Sequence, residues 1–519
     1  MTAKREAGMG IGCRLRAFRR DSRGGIAVQF AFLALPVTVL AFGMIDINRA
    51  SVGKKDLQDA LDAATLIAAR STAITDAELQ TVGSQALAGQ LSGQMGDATL
   101  ISSSFKADES KVNSSASIKL TPIVANLWLK GDMTVGAKSE VVRSMNKLEV
   151  AMVLDTTGSM AGSRLTNLKL AATDFIDQLA AAAARSTEPN PVKIGIVPFS
   201  SAVRIAGTST EVNTYKSASW IDGEGNAPAS QQIFWSNDAG NLGFKTNRFS
   251  LLSGMGQTWG GCIESREAPY DIQDTAPTAS TPETLFTPYF WPDEADNDSS
   301  SVNSYLSDGA SASWNWQRRQ GNVGKYTTSP AGSGKGPNRG CDMQAISRLS
   351  TNWTALKSKV NALNAAGETH IPLGMAWGWH LLSPNSPFSD GVPYSTPKLT
   401  KVVVLMTDGD NVYNVTNSNN RSNYDGYAFI WQNRSTTTSN TSSTRRAAQD
   451  DRFLKICKNM KDAGIVIYAV GLQISATSGA LLQNCATTSD KYYSVTSAGN
   501  LTAAFSAIAG SIQNLRISG

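Results

Sequence analysis

Residues 147–160, KLEVAMVLDTTGSM, decide the fold. An apolar run carrying Val150 and Val153 ends in an acid and a hydroxyl-rich turn, and SRLTNLKLAATDFIDQLAAAAA (163–184) follows with helical spacing. A strand, a polar turn and a helix that starts there form the repeating unit of an open α/β sheet, whose ligand sites lie beyond the strand carboxyl ends. KIGIVPFSS (193–201), KVVVLMTDGD (401–410) and AGIVIYAVGL (463–472) are further apolar strands of the same kind. KYYSV (491–495) and a helix from about Asn500 to Arg516 complete the alternation. The expected architecture is α/β: a doubly wound, mostly parallel sheet with helices on both faces.

Upstream, residues 25–45, GIAVQFAFLALPVTVLAFGMI, run 21 positions without a charge, close to the roughly 20 residues that cross a bilayer core. They read as a retained transmembrane helix rather than a cleaved signal or a buried core helix. No small-x-small cleavage site ends the stretch, and the pattern continues through Asp46 into residues 49–70, where Val52, Leu57, Leu61, Ala64 and Ala68 keep near-helical spacing. Residues 1–24 hold seven bases and two acids. Positive-inside asymmetry places that stub in the cytoplasm and everything after about Asn48 outside, which in a bacterium is the periplasm. A second helical stretch at about Asp76 to Leu91 and strand-like texture from Ala98 to Ser144 complete a small α+β region.

The formal charge of +5 resides in the stub, because the remaining 40 bases meet 40 acids. The bulk has no basic surplus with which to hold phosphates, so nucleic acid is excluded as a partner. His370 and His380 are the two histidines, which excludes most zinc sites, catalytic triads and His-based acid/base schemes; both read as structural. Cys13 lies in the stub, while Cys262, Cys341, Cys457 and Cys485 form an even set on the oxidising side. Three connectivities are open; Cys262–Cys341 and Cys457–Cys485 are favoured because each pair falls in one segment.

Three turns carry groups able to meet at one point: Asp155, Thr157 and Ser159; Thr369 in GETHIPLG; and Asp408 in Thr-Asp-Gly. Two carboxylates and three hydroxyls are hard oxygen donors suited to Mg2+, or to Mn2+ or Ca2+. Neutral hydroxyls leave such an ion incompletely neutralised, so a carboxylate from another protein is a favourable last ligand. Enzymatic readings fit less well. An aspartic protease needs Asp-Thr-Gly, but Gly158 comes one residue late, and a phosphatase of the haloacid-dehalogenase kind wants an acid where Thr157 stands. GSGKG (332–336) follows no strand and reads as a flexible loop rather than a phosphate cradle. A peptidase or phosphohydrolase is the alternative of a different class.

Asp155, Thr157, Ser159, Thr369 and Asp408, in that order, resemble the metal-ion-dependent adhesion site of von Willebrand factor A domains, with Thr157 standing for the first serine. The resemblance spans about residues 147–200 and 343–516. Residues 19–70 resemble the amino-terminal segment of TadG-like proteins of bacterial Tad (tight adherence, Flp) pilus systems, through the span ending in Asp46 and the helix with Leu57, Gln58, Ala60, Asp62, Ala63 and Ala64. Gln29 stands where the related pseudopilins carry the Glu of peptidase processing, so the full-length chain is expected to persist. Together these resemblances imply a non-enzymatic, inner-membrane-anchored protein of pilus assembly whose A domain takes a partner carboxylate, the partners being other Tad components. A surface adhesin contacting host or matrix is the alternative.

Residues 206–342 interrupt the sheet with six of the eleven tryptophans: Trp220, Trp235, Trp259, Trp291, Trp314 and Trp316. They are expected to form a small core or an exposed recognition patch. Within them FTPYFWPDEADND (286–298) runs an apolar cluster into four acids, a Ca2+-loop reading without EF-hand spacing. The polar loop 411–444 leaves the strand end that carries Asp408; its embedded YDGYAFIW (424–431) leads to the expectation that Tyr427 and Trp431 pack beside the metal and frame the incoming carboxylate. The segments are then a stub (1–24), a span (25–45), an α+β region (46–146), the A domain in two parts (147–205 and 343–519) and the insertion (206–342). Alkaline phosphatase fused after residue 150 is expected to be active and a fusion at residue 20 inactive; the opposite pattern would overturn this topology.

Overall fold

The computed structural model describes residues 25–71, 73, 75–92, 98–108, 111–122, 131–142, 146–184, 186, 188–235, 243–298 and 302–517. The basic stub with Cys13, and the IVANLWL part of the strand-like region, lie outside the described residues. The chain divides into two compact units, Met1–Arg143 and Ser144–Gly519.

In the first unit, helix α1 (Gly25–Arg70) is continuous, as the unbroken spacing predicts. Its two halves face different surroundings. Phe30, Phe32, Leu33, Leu40 and Met44 are exposed, and the helix is long and apolar enough to cross a membrane. Leu57, Leu61, Ala64 and Ala68 instead enter a core with Leu79 and Leu87 of α2 (Asp76–Leu91). A capping box between Thr75 and Glu78 starts α2 by satisfying two otherwise unpaired donors. The core closes on an antiparallel sheet of β1 (Ala98–Asp108), β2 (Lys111–Leu120) and β3 (Met133–Val142), through Phe105, Val112, Ile118 and Ala137. Gly83 is required there, because a Cβ would overlap the Phe105 ring.

The second unit is built on a six-stranded sheet. Its strands are β4 (Lys147–Asp155), β5 (Val192–Phe199), β8 (Ser347–Ser350), β9 (Leu399–Thr407), β10 (Val466–Leu472) and β11 (Tyr492–Val495), in the order β11-β10-β9-β4-β5-β8. All neighbours are parallel except β5 and β8. This is the doubly wound, mostly parallel sheet expected; β8 is an addition, too short and too exposed to give a periodic signal.

β4 is buried on both sides, and its alternation separates two cores. Val150, Met152 and Leu154 face α3 (Ser163–Ala183), α4 (Trp353–Asn361) and α8 (Leu501–Ile517), where Phe175 meets Phe505 edge to face at 5.9 Å. Ala151 and Val153 face α5 (Ile371–Leu382), α6 (Ser442–Asp462) and α7 (Ala476–Cys485), through Met375, Trp377, Phe453 and Leu482.

Residues 206–342 add to this second core, tied in by a ribbon of β6 (Val203–Arg204) and β7 (Cys262–Ile263). Trp220, Trp259 and Trp291 are buried among Phe234, Phe286, Tyr289 and Phe290, so the core reading holds for these three. Trp235, Trp314 and Trp316 are half-buried. The four acids of the Ca2+-loop reading are engaged by the protein's own donors: Lys325 pairs with Asp293 at 2.5 Å, Asp296 accepts from Ser304 Oγ and Asp308 N, both at 2.8 Å, and Asp298 accepts from Asn419 N at 3.0 Å. Glu294 accepts from Trp291 and Asn420.

The loop after Asp408 also departs from expectation. Tyr413, Tyr424, Tyr427, Phe429 and Ile430 are buried in the same core. Its polar groups are satisfied internally, as in Tyr413 Oη to Ala428 O at 2.6 Å and Ser422 Oγ accepting from Ile430 N at 3.0 Å. The two irregular segments meet at Glu264, whose fully buried carboxylate accepts from Arg248, Tyr424 and Arg434, the last at 2.5 Å. The disulfides are Cys262–Cys341 and Cys457–Cys485, the pairs favoured from the sequence.

Glu264→Gln keeps the shape but leaves Arg248 and Arg434 without their anion. Breaking a buried pair in this way costs about 3–5 kcal/mol. A correspondingly lower urea midpoint is expected for the full-length chain in detergent, followed by tryptophan fluorescence. A loss under about 1 kcal/mol would deny the pin its role.

Candidate metal centre

β4 and β9 run side by side with Leu154 opposite Met406, and their following helices, α3 and α6, pack on opposite faces of the sheet. Adjacent strands whose connections diverge leave a crevice beyond their carboxyl ends. Asp155 closes β4 there, and Thr407 and Asp408 close β9.

Asp155 is wholly buried. Its Oδ1 accepts from Thr157 N at 2.9 Å and Thr157 Oγ1 at 2.6 Å, and its Oδ2 from Thr407 Oγ1 at 2.6 Å. Thr157 Oγ1 lies 3.0 Å from Ser159 Oγ, which donates to Asp408 Oδ1 at 2.7 Å. Four of the five candidate donors thus lie in one contiguous row, as two hydrogen-bonded pairs, Thr157 with Asp155 and Ser159 with Asp408, whose hydroxyl oxygens are 3.0 Å apart. The fifth, Thr369, is buried at the head of α5, and its segment is laid against the turn by backbone bonds. Ala366 N donates to Thr156 O at 2.9 Å, Gly158 N to Gly367 O at 3.0 Å and Val412 N to Thr369 O at 2.9 Å. Gly367 has φ +81°, and a side chain there would strike the Ser201 hydroxyl, so only glycine lets the turns close.

The donor set fits a divalent cation. It is oxygen throughout, and burial, followed by the charge of Asp408, pushes the Asp155 carboxyl up to about 6. Ionised Asp155 therefore lacks sufficient compensating positive charge. Arg164, in the first turn of α3, reaches Asp408 Oδ2 with Nη1 at 2.5 Å.

Tyr427 and Trp431 do not frame this site. Tyr427 is buried against the His370 ring, with centroids 5.5 Å apart. Trp431 packs half-buried on Phe429 and Trp316 and donates to Asn420. Aromatic density in that loop serves the core. Glu368, His370 and Asp425 bring ligand-type atoms within 4.8 Å of one another. They already pair internally: His370 Nε2 is 2.8 Å from Asp425, and Glu368 accepts from Asn414 and Asn423. Burial opposes charge on His370, but Asp425 leaves its pKa raised, whereas burial, then Arg266, hold His380 well below the usual value. Both imidazoles are buried, His370 at 0% and His380 at 3% exposure. The sequence reading missed Thr407, although it belongs to the quoted Thr-Asp-Gly, and Arg164, the first base after the Asp155 turn.

Residues 24–71 match a family model described as putative Flp pilus-assembly TadE/G-like. No curated protein matches the chain. Among solved structures, the vWF domain of the type V pili tip protein Mfa5 from Porphyromonas gingivalis is 12% identical, with 72% of this chain and 97% of that one covered, at a TM-score of 0.33. The pilus adhesin SpaC from Lactobacillus rhamnosus GG is 13% identical, covering 81% and 35%, at 0.34. Proximal thread matrix protein 1 from the mussel byssus, with a zinc-occupied MIDAS motif, is 11% identical, covering 72% and 47%, at 0.28.

A carboxyl whose folded value of about 6 exceeds its ordinary 3.8 favours the folded state while protonated, and that contribution is lost as pH rises from about 4 through about 6. Chelator-treated Asp155→Asn is therefore expected to unfold at a higher temperature than the wild type at pH 7 and at nearly the same temperature at pH 4. An equal shift at both values would overturn the assignment of this strain to Asp155.

Proposed function

We propose that this chain is an inner-membrane-anchored, metal-dependent protein-binding component of Tad/Flp pilus assembly, without enzymatic activity, that captures a carboxylate of another pilus-assembly protein. The observation that carries this reading is the contiguous row of oxygen donors from Thr407 through Asp155, Thr157 and Ser159 to Asp408 at the sheet's switch point. Asp155, Thr157, Ser159, Thr369 and Asp408 would hold Mg2+, or Mn2+ or Ca2+. When bound, the ion supplies a coordination position for an incoming carboxylate oxygen.

The chain's own groups prepare that event. Thr407 and the Thr157 backbone fix the orientation of Asp155, so no rotamer freedom is lost when it is used. Three neutral hydroxyls, Thr157, Ser159 and Thr369, keep the donor set's negative charge low enough that an acidic partner is not repelled. The pilus context is supported by the family match of residues 24–71. Membrane attachment is supported by the exposed apolar half of α1, and a cytoplasmic amino terminus with a periplasmic bulk by the seven bases of the stub.

Affinity capture from crosslinked cells, with and without chelator, tests the reading. Pilus-assembly proteins are expected with Mg2+ present, to be lost with chelator and with Asp155→Ala. Capture of the same proteins regardless of chelator or substitution would overturn the metal-dependent mechanism.

A further inference from the structure

Gly162, with φ +80°, turns the chain from the Asp155 loop into α3, and that turn carries Arg164 back over the site. Its Nη1 lies 2.5 Å from Asp408 Oδ2 and donates to Ser159 O at 3.3 Å, while Nε donates to Gln473 Oε1 at 3.1 Å. Gln473 is itself fixed, its N donating to Val495 O at 2.8 Å. The Asp408 side chain has no exposure and that of Arg164 is 33% exposed, so one member of the pair is enclosed and the other is partly open to solvent. Both oxygens of Asp408 are engaged, one by Ser159 and one by Arg164.

We propose that Arg164 is a positioning residue that rivals the metal: it holds Asp408 until a divalent ion arrives and then swings outward, so that filling the site and releasing this guanidinium are one event. The inference rests on the metal-site reading above. Ser159 cannot be the group that gives way, since it is itself a donor to the ion. Whether Asp408 touches the ion directly or through water, a guanidinium on its carboxylate opposes a second cation beside it. A long, partly exposed side chain leaves without disturbing the sheet. The apparent metal affinity is then the intrinsic one reduced by the share of molecules in which Arg164 has moved away. Partner capture is thereby graded by ambient metal rather than permanently switched on.

Calorimetric Mg2+ titration of the full-length chain in detergent, comparing wild type, Arg164→Gln and Arg164→Lys, tests the rivalry. Arg164→Gln is expected to bind Mg2+ about tenfold more tightly, the scale of one charged hydrogen bond, with Arg164→Lys between the two. Equal or weaker binding by Arg164→Gln would overturn this inference and leave the site reading standing. An absence of Mg2+ binding in every chain would overturn the site reading and this inference with it. Phenylglyoxal labelling of Arg164 in the wild type, followed by mass spectrometry, needs no substitution. Mg2+ is expected to accelerate it, and an unchanged rate would also overturn the rivalry.

Discussion

A single hydrogen bond across two strand ends, Thr407 Oγ1 to Asp155 Oδ2, expresses the constraint on which the site depends. β4 and β9 are parallel neighbours in fixed register, so the residue that ends one must face the residue that ends the other. The apolar alternation that sets the register also buries Asp155. Packing on both faces of the sheet thus holds two acids close together, and their hydroxyl partners are the cost-free means of keeping them there. A one-residue slip of either strand would exchange its core faces and dissolve the donor chain at once.

The same buried face explains why the two irregular segments are not appendages. Residues 206–342 and 411–444 both bury aromatic side chains against α5 and α6, and Glu264 and Arg434 lock one to the other. Asp271 and Arg452 repeat the device against α6, with Nε to Oδ2 at 2.5 Å. Charges so deep require opposite charges beside them, and that requirement selects one arrangement of otherwise loosely specified chain.

Much of the sheet was legible in the sequence because strands covered on both faces read as unbroken apolar runs; β4, β9 and β10 are of this kind. The gathering of Asp155, Thr157, Ser159 and Asp408 was legible for a related reason, since each follows a strand or lies in a turn, where the chain has no packing use for it. Legibility ended where partners are distant. Glu264 and Arg434 are 170 residues apart, and nothing local marks them as a pair. Tyr427 and Trp431 were misread because aromatic density is the same for a core and for an interface. Their polar neighbours decide between the two: Asp425 is buried on His370, and Gln432 caps Phe429 N. β8 escaped notice because four residues, three half-buried and one exposed, carry no period.

The placement of Asp155 at one end of β4 and of the chain's entry at Lys147 at the other has a mechanical meaning. A pull between the two ends of β4 would act lengthwise along a central strand flanked by β5 and β9. Ladder hydrogen bonds lie across that direction, so they are sheared together rather than peeled in turn. The strand that ends in Asp155 is thus well placed to bear a load along its length.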